Sequence, residues 1–208
     1  MQVTNTKFLG VIVDSKLTWK DHTALIALKI SRNLGAINRV KKNLPRNALM
    51  LLYHTLIYPY LSYCCIIWGC ASSTTLNKLR TLQKRALRLI TNSPYWSPSA
   101  PIFVKLNLIR LDDIYVFQTA KFLGMFRLNL LPKSCSHFFV ISPSIRSHIT
   151  RFATYFVLSM CRTLIRQNTI SIRGPLLWNT VPLNVQSAKT IIEFSNSMYA
   201  YLVKGIGN

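Results

Sequence analysis

The chain has 208 residues, enough for one ordinary domain or two small ones, and half of them are apolar, which provides a core and excludes global disorder. Lysine and arginine number 26 against 5 aspartates and glutamates, a formal net charge of +21. Such an excess repels itself in a compact state, so it implies a polyanionic partner: nucleic acid first, an anionic membrane second.

The five carboxylates are unevenly spread. None lies between His22 and Leu111, and none between Ile114 and Ile192, so most cations have no counter-charge in their own segment. The cysteines, Cys64, Cys65, Cys70, Cys135 and Cys161, form no CxxC pair and no zinc-ligand spacing. With no secretory signal in the first fifteen residues, they predict reduced thiols and an intracellular protein, cytoplasmic or nuclear, that is not secreted.

In chain order, Lys7 to Val13 is a short β-branched run around Gly10 and predicts a strand turning into a hairpin. From Asp21 to Lys42, Leu25, Leu28, Leu34, Ile37 and Val40 recur at near-helical spacing, with Asp21 as N-cap. Lys29, Arg32, Arg39, Lys41 and Lys42 lie mostly off that stripe. Pro45 breaks the pattern, a helix restarts near Asn47, and Pro59 predicts a kink or stop.

Thr75 to Thr91 is the clearest amphipathic helix. Leu76, Leu79, Leu82, Ala86 and Ile90 make its apolar face, while Arg80, Lys84 and Arg88 form an i, i+4, i+8 row beside Lys78 and Arg85. Like charges at i, i+4 destabilise an isolated helix by roughly 0.2–0.5 kcal/mol per pair. A row that accepts this twice points to phosphates, with a solvated face as the alternative.

Asn92 to Pro101 holds three prolines around Tyr95 and Trp96 and reads as a loop and domain boundary. Its aromatics would either stack on an unpaired base or anchor onto the core. A helix is expected from about Asp112 to Leu130, with both aspartates at its positive end and Pro132 beyond it. The remainder predicts an apolar helix near Phe152 to Ile165, a short strand near Ile170 to Arg173, a turn at Gly174-Pro175, and an amphipathic segment from Thr190 to Val203.

Catalytic constellations are missing from this inventory. Two-metal phosphoryl chemistry needs converging carboxylates that hold cations about 3.5–4 Å apart. Asp112-Asp113 is the one acidic pair and has no second carboxylate segment to complete a site. There is no GxSxG, Walker loop or HExxH, and His22, His54, His137 and His148 are scattered. The expected catalytic and metal residues are therefore none.

Several blocks in order carry a resemblance. Lys7-Phe8-Leu9-Gly10-Val11-Ile12-Val13-Asp14, then Leu17-Thr18-Trp19 and His22, resembles the stretch after the palm motifs in reverse transcriptases of non-LTR retrotransposons, the jockey-like and related LINE elements. Leu52-Tyr53, Pro59 to Tyr63 and Trp68-Gly69 are similar to a second block of that family, and Leu79 with Gln83 to Arg88 to a third. His148, Thr150-Arg151, and Gly174-Pro175 through Trp178-Asn179 to Pro182 are similar to its tail.

The resemblance implies a mainly α fold: a short N-terminal β-hairpin, a thumb-like helical bundle and a smaller, mostly helical C-terminal region. It implies a primer-grip-like hairpin over 1–20, a thumb-like region over 21–93, a Pro-rich linker over 94–101 and a helical tail over 102–208. Lys7, Phe8, Leu9 and Gly10 would position a primer end. The family's paired catalytic aspartates precede the position of Lys7, where this chain has only six residues. The expectation is therefore a truncated piece of an RNA-directed DNA polymerase that is no enzyme on its own and has no cofactor, Mg²⁺ belonging only to an intact polymerase.

The expected partner is RNA or an RNA–DNA duplex, together with a palm absent from this chain; no small-molecule substrate and no membrane are expected. Contacts would come from Lys78, Arg80, Lys84, Arg85 and Arg88, then from Lys29, Arg32, Arg39, Lys41 and Lys42. The alternative is a small basic membrane protein, because Asn47 to Asn77 carries no charged residue and Leu49 to Ala71 is long enough to span a bilayer.

Overall fold

The computed structural model describes residues 4–141 and 156–207. His148, Thr150, Arg151 and the first residues of the helix expected near Phe152 lie outside them. The described chain is mainly helical and divides into two compact units, Met1–Tyr115 with Val203–Asn208, and Val116–Leu202.

The first unit opens with an antiparallel hairpin, β1 (Asn5–Phe8) and β2 (Val11–Asp14), in the register Phe8↔Val11 to Asn5↔Asp14. Only Leu9 and Gly10 connect the strands, with φ of 45° and 83°. Two consecutive positive φ values match the right-handed twist of the flanking strands, and Gly10 adopts its value without penalty. Asp14 then fastens the hairpin to the start of the first helix. Its carboxylate accepts from the Thr18 and Trp19 backbone N–H groups, both at 2.8 Å, and from the Thr18 hydroxyl at 2.9 Å.

Helix α1 (Lys20–Val40) begins after Trp19, which is left-handed at φ 62°, so Trp19 and not Asp21 holds the N-cap position. Its buried face is His22, Thr23, Ile26, Ala27, Ile30, Leu34 and Ile37. Leu28 and Val40, expected on that face, are exposed. The stripe is rotated because Thr23 and Ala27 belong to it, and short side chains carry little weight in a count of leucines.

The uncharged run after Pro45 is not one span. It folds into α2 (Arg46–Leu56), α3 (Tyr58–Ser62) and α4 (Cys65–Trp68). Pro59 lies in the first turn of α3, and Cys64, left-handed at φ 51°, separates α3 from α4. No described helix is long and apolar enough to cross a membrane, which overturns the single-span alternative.

Helix α5 (Ser73–Thr91) is capped by Ser72, whose hydroxyl accepts from the Thr75 N–H at 3.3 Å. Leu76, Leu79, Leu82, Ala86 and Ile90 are all buried, as the spacing predicts, and Gln83 and Leu87 join them. α5 packs along α1 and also meets α2 and α6 (Ser99–Lys105). The unit continues into α7 (Leu111–Arg127) as far as Tyr115 and takes in the end of α11 (Ile191–Gly207) from Val203. Asp112 and Asp113 stand in the first turn of α7, where the macrodipole favours them.

The second unit is built on aromatic side chains. Trp178 stacks on Phe194 at 5.4 Å, and Phe126, Phe139 and Phe156 meet edge-on or tilted around them. Ile141 and Phe156 form an isolated antiparallel bridge. Residues 157–163 are not helical, which corrects that part of the expected helix, and Leu164–Gln167 form the short α8. Ile170–Thr180 is helix α9, which corrects both the strand near Ile170 to Arg173 and the turn at Gly174-Pro175.

Tertiary packing decides there. A Cβ on Gly174 would lie 2.9 Å from Leu123 Cδ1, so any larger residue would have to displace that side chain. The Asn179 amide, one turn on, pairs with both backbone groups of Phe156 at 3.1 Å. Burial of Trp178 outweighs the helix hydrogen bond that Pro175 cannot make. Pro182 stands at the N-cap of α10 (Leu183–Gln186), and α11 closes the chain.

Candidate nucleic-acid interface

The outward side of α5 follows from its inward side. Gln83 is buried on the core face, and its amide nitrogen donates to the Tyr53 hydroxyl and the Ile109 carbonyl, both at 3.0 Å. Its amide oxygen accepts from the Leu111 N–H at 2.9 Å. One polar side chain thus ties α5 to α2 and to the start of α7 and fixes the rotation of α5 about its axis. Lys78, Lys84 and Arg85 face outward and are exposed, and among the described residues no acceptor holds any of them.

The other two cations of the row are committed. Arg80 makes a two-pronged pair with Asp112, Nη2 to Oδ1 at 2.7 Å and Nε to Oδ2 at 2.9 Å, and also donates to Ser73 and Asn77. It is the one ion pair among the described residues. Arg88 donates to the Ser97 carbonyl at 2.9 Å and lies 5.6 Å from the Tyr95 ring centroid. Both arginines brace the fold, and the open cations of the row narrow to Lys78, Lys84 and Arg85.

On α1, Lys29, Arg32 and Arg39 are exposed, as is Lys42 beyond its end, while Lys41 is half-buried at the C-cap. Arg39 and Lys41 sit where the helix dipole favours cations. Lys29 lies 5.3 Å from the Tyr60 ring centroid and helps to line a cleft of about 250 Å³ with Gly10, His22, Leu25, Tyr60 and Tyr63. Tyr63, the C-cap residue of α3, donates its hydroxyl to the Leu9 carbonyl at 2.7 Å and so holds the hairpin tip. The fold therefore brings Gly10 and Lys29 to one cleft, although they come from separate segments. Lys7 is exposed on β1, and Phe8 and Leu9 project at 67% and 73% exposure.

His22 is the buried polar group of this region. Its Nδ1 accepts from the Ile12 N–H at 3.3 Å, and its ring meets Trp68 edge-on. Burial, reinforced by nearby Lys29, holds its pKa below the usual histidine value, so the ring is neutral at neutral pH. Burial pushes the Cys65 thiol up to about 12, which keeps it a protonated core side chain. Burial also raises Asp113, against the hydrogen bond from the Arg110 N–H. Among the described residues no three His, Cys, Asp or Glu side chains cluster as a metal site.

Spacing alone could not reveal Gln83 as the anchor. The signal available was a polar side chain on the apolar face of α5, beside Leu82 and Ala86.

Compared with known proteins, the chain is 31% identical over 133 residues to the RNA-directed DNA polymerase from mobile element jockey of Drosophila melanogaster, covering 62% of this chain and 14% of that protein. It is 28% identical over 110 residues to the jockey polymerase of Drosophila funebris, covering 51% and 12%. To the probable RNA-directed DNA polymerase from transposon BS of Drosophila melanogaster it is 26% identical over 125 residues, covering 58% and 14%. Half or more of the chain is thus homologous to non-LTR retrotransposon polymerases, and it spans about one seventh of the length of these curated relatives. No family model and no solved structure matches it.

Proposed function

We propose that the first unit is a thumb-like piece of a retrotransposon RNA-directed DNA polymerase that grips an RNA or RNA–DNA duplex by its phosphates, without reading sequence. The observation that carries this is the set of open cations on two packed helices, Lys78, Lys84 and Arg85 on α5 with Lys29, Arg32 and Arg39 on α1, in a stretch without a carboxylate from His22 to Leu111. Lys41 and Lys42 extend that set, and Arg80 and Arg88 hold the α5 frame.

The hairpin tip, Lys7 to Gly10, receives a strand end beside the Lys29 cleft. Polymerisation belongs to carboxylates outside these segments, in a palm that this piece would serve.

Salt dependence tests the reading. Each phosphate neutralised contributes about −0.9 to the slope of log K against log salt on a B-type duplex. The three open α5 cations alone predict a slope near −2.7 by that measure, steeper if α1 engages. Lys84→Ala with Arg85→Ala should flatten it by about 2 and weaken binding equally on unrelated sequences. A slope near zero, or a loss confined to one sequence, would remove the proposal.

A further inference from the structure

The turn after α5 displays the two most exposed aromatic side chains among the described residues, Trp96 at 83% and Tyr95 at 77%. It is a braced turn. The Ser97 N–H closes it onto the Pro94 carbonyl at 3.1 Å, and the Ser93 N–H returns to the Arg88 carbonyl at 3.0 Å. The Arg88 guanidinium grips the Ser97 carbonyl and lies by the Tyr95 ring. Two large rings thus stand in water at the end of the most cationic helix, in a stretch of sequence without a carboxylate from His22 to Leu111. Phosphate-seeking charge beside exposed, pre-positioned π faces is the chemistry that recognises unpaired nucleotides.

We propose that Tyr95 and Trp96 form a stacking platform for unpaired bases of a single strand that leaves the duplex held by α5. This rests on the duplex reading above and adds a preference for a duplex–single-strand junction. Stacking is sequence-tolerant, because every base has a π face. Arg88 holds the Tyr95 ring and the turn hydrogen bonds fix the backbone that carries both rings, so less conformational freedom is lost when a base arrives.

The full chain is titrated with a blunt RNA–DNA hybrid, with the same hybrid carrying a single-stranded RNA extension of either polarity, and with single-stranded oligouridylate alone. Trp19, Trp68 and Trp178 are buried, so quenching of tryptophan emission by added bases reports on Trp96. The extension should tighten binding about fivefold or more for each stacked base and quench the emission. Tyr95→Ala with Trp96→Ala should abolish that gain and leave blunt-hybrid affinity unchanged, while Trp96→Phe keeps most of it.

No gain from either extension, or a gain that survives the double alanine variant, overturns the platform while the duplex reading stands. Oligouridylate that quenches Trp96 when the blunt hybrid does not bind would sustain the platform and sink the duplex reading. Absence of quenching by every probe overturns the platform.

Discussion

Helices α1 and α5 lie against each other, have 21 and 19 residues, and both carry cations on their outer sides, yet they are held in different ways. α1 is gripped chiefly by an apolar stripe in which Ala27 and Ile30 are fully buried. α5 has a comparable stripe and adds polar anchors, with Gln83 on the inside, Arg80 on Asp112 and Arg88 on Ser97. Dispersion and burial fix how closely a helix sits, whereas directed hydrogen bonds also fix its rotation. The open cations of α5 therefore stand on a frame set in azimuth by three side chains, whereas those of α1 rest mainly on packing, helped by Asn33 on the Leu56 carbonyl and His22 on the Ile12 N–H.

The largest effect should come from breaking the α1 stripe. Ile30→Ala should destabilise the protein by roughly 2–5 kcal/mol, read as a lower urea midpoint. A shift under about 1 kcal/mol would mean that the site collapses readily and that α1 is not held by its stripe.

Next comes Gln83→Leu, which keeps the volume but strips partners from the Ile109 carbonyl and the Leu111 N–H. Buried groups left unsatisfied cost about 1–3 kcal/mol each, so a loss of roughly 2–4 kcal/mol is expected. A neutral result would show that rotation of α5 is set elsewhere, and the contrast between the helices would fail.

The smallest effect concerns His22 on α1. Its pKa is lowered on folding from the ordinary 6.5, so the unfolded chain binds the proton first as pH falls. The stability tied to the neutral ring is whole above pH 6.5 and is lost as pH falls below it through the folded value. Urea midpoints should decline over that window, and His22→Gln should flatten the decline; an unchanged slope would assign it to other groups.

Legibility in the sequence followed the range of the forces involved. The hairpin, the break at Pro59, the α5 stripe and the placing of Asp112 and Asp113 in a first helical turn depend on neighbours a few residues away, and these were readable. The phase of α1 was not, because its contact face uses Thr23 and Ala27. Gly174-Pro175 suggested a turn, yet the approach of Leu123 and the burial of Trp178 draw it into a helix.

The narrowing of the candidate interface was equally hidden. Arg80 meets its carboxylate 32 residues on, a separation that no pattern of spacing announces. Arg88 is taken up by a carbonyl 9 residues away, which only the fold of the turn brings within reach.

The bond from Tyr63 to Leu9 also bears on the order in which the chain assembles. A two-residue hairpin closes fast and locally, on a timescale of about 1–10 μs. Leucine in the left-handed region costs roughly 1–2 kcal/mol, which disfavours this turn in an isolated peptide. The hydroxyl that steadies it comes from 54 residues downstream, at the end of α3, and is in place only once that part of the unit has folded. The first element of the chain is thus secured by a contact distant in sequence, so its stability reports on the completeness of the whole unit.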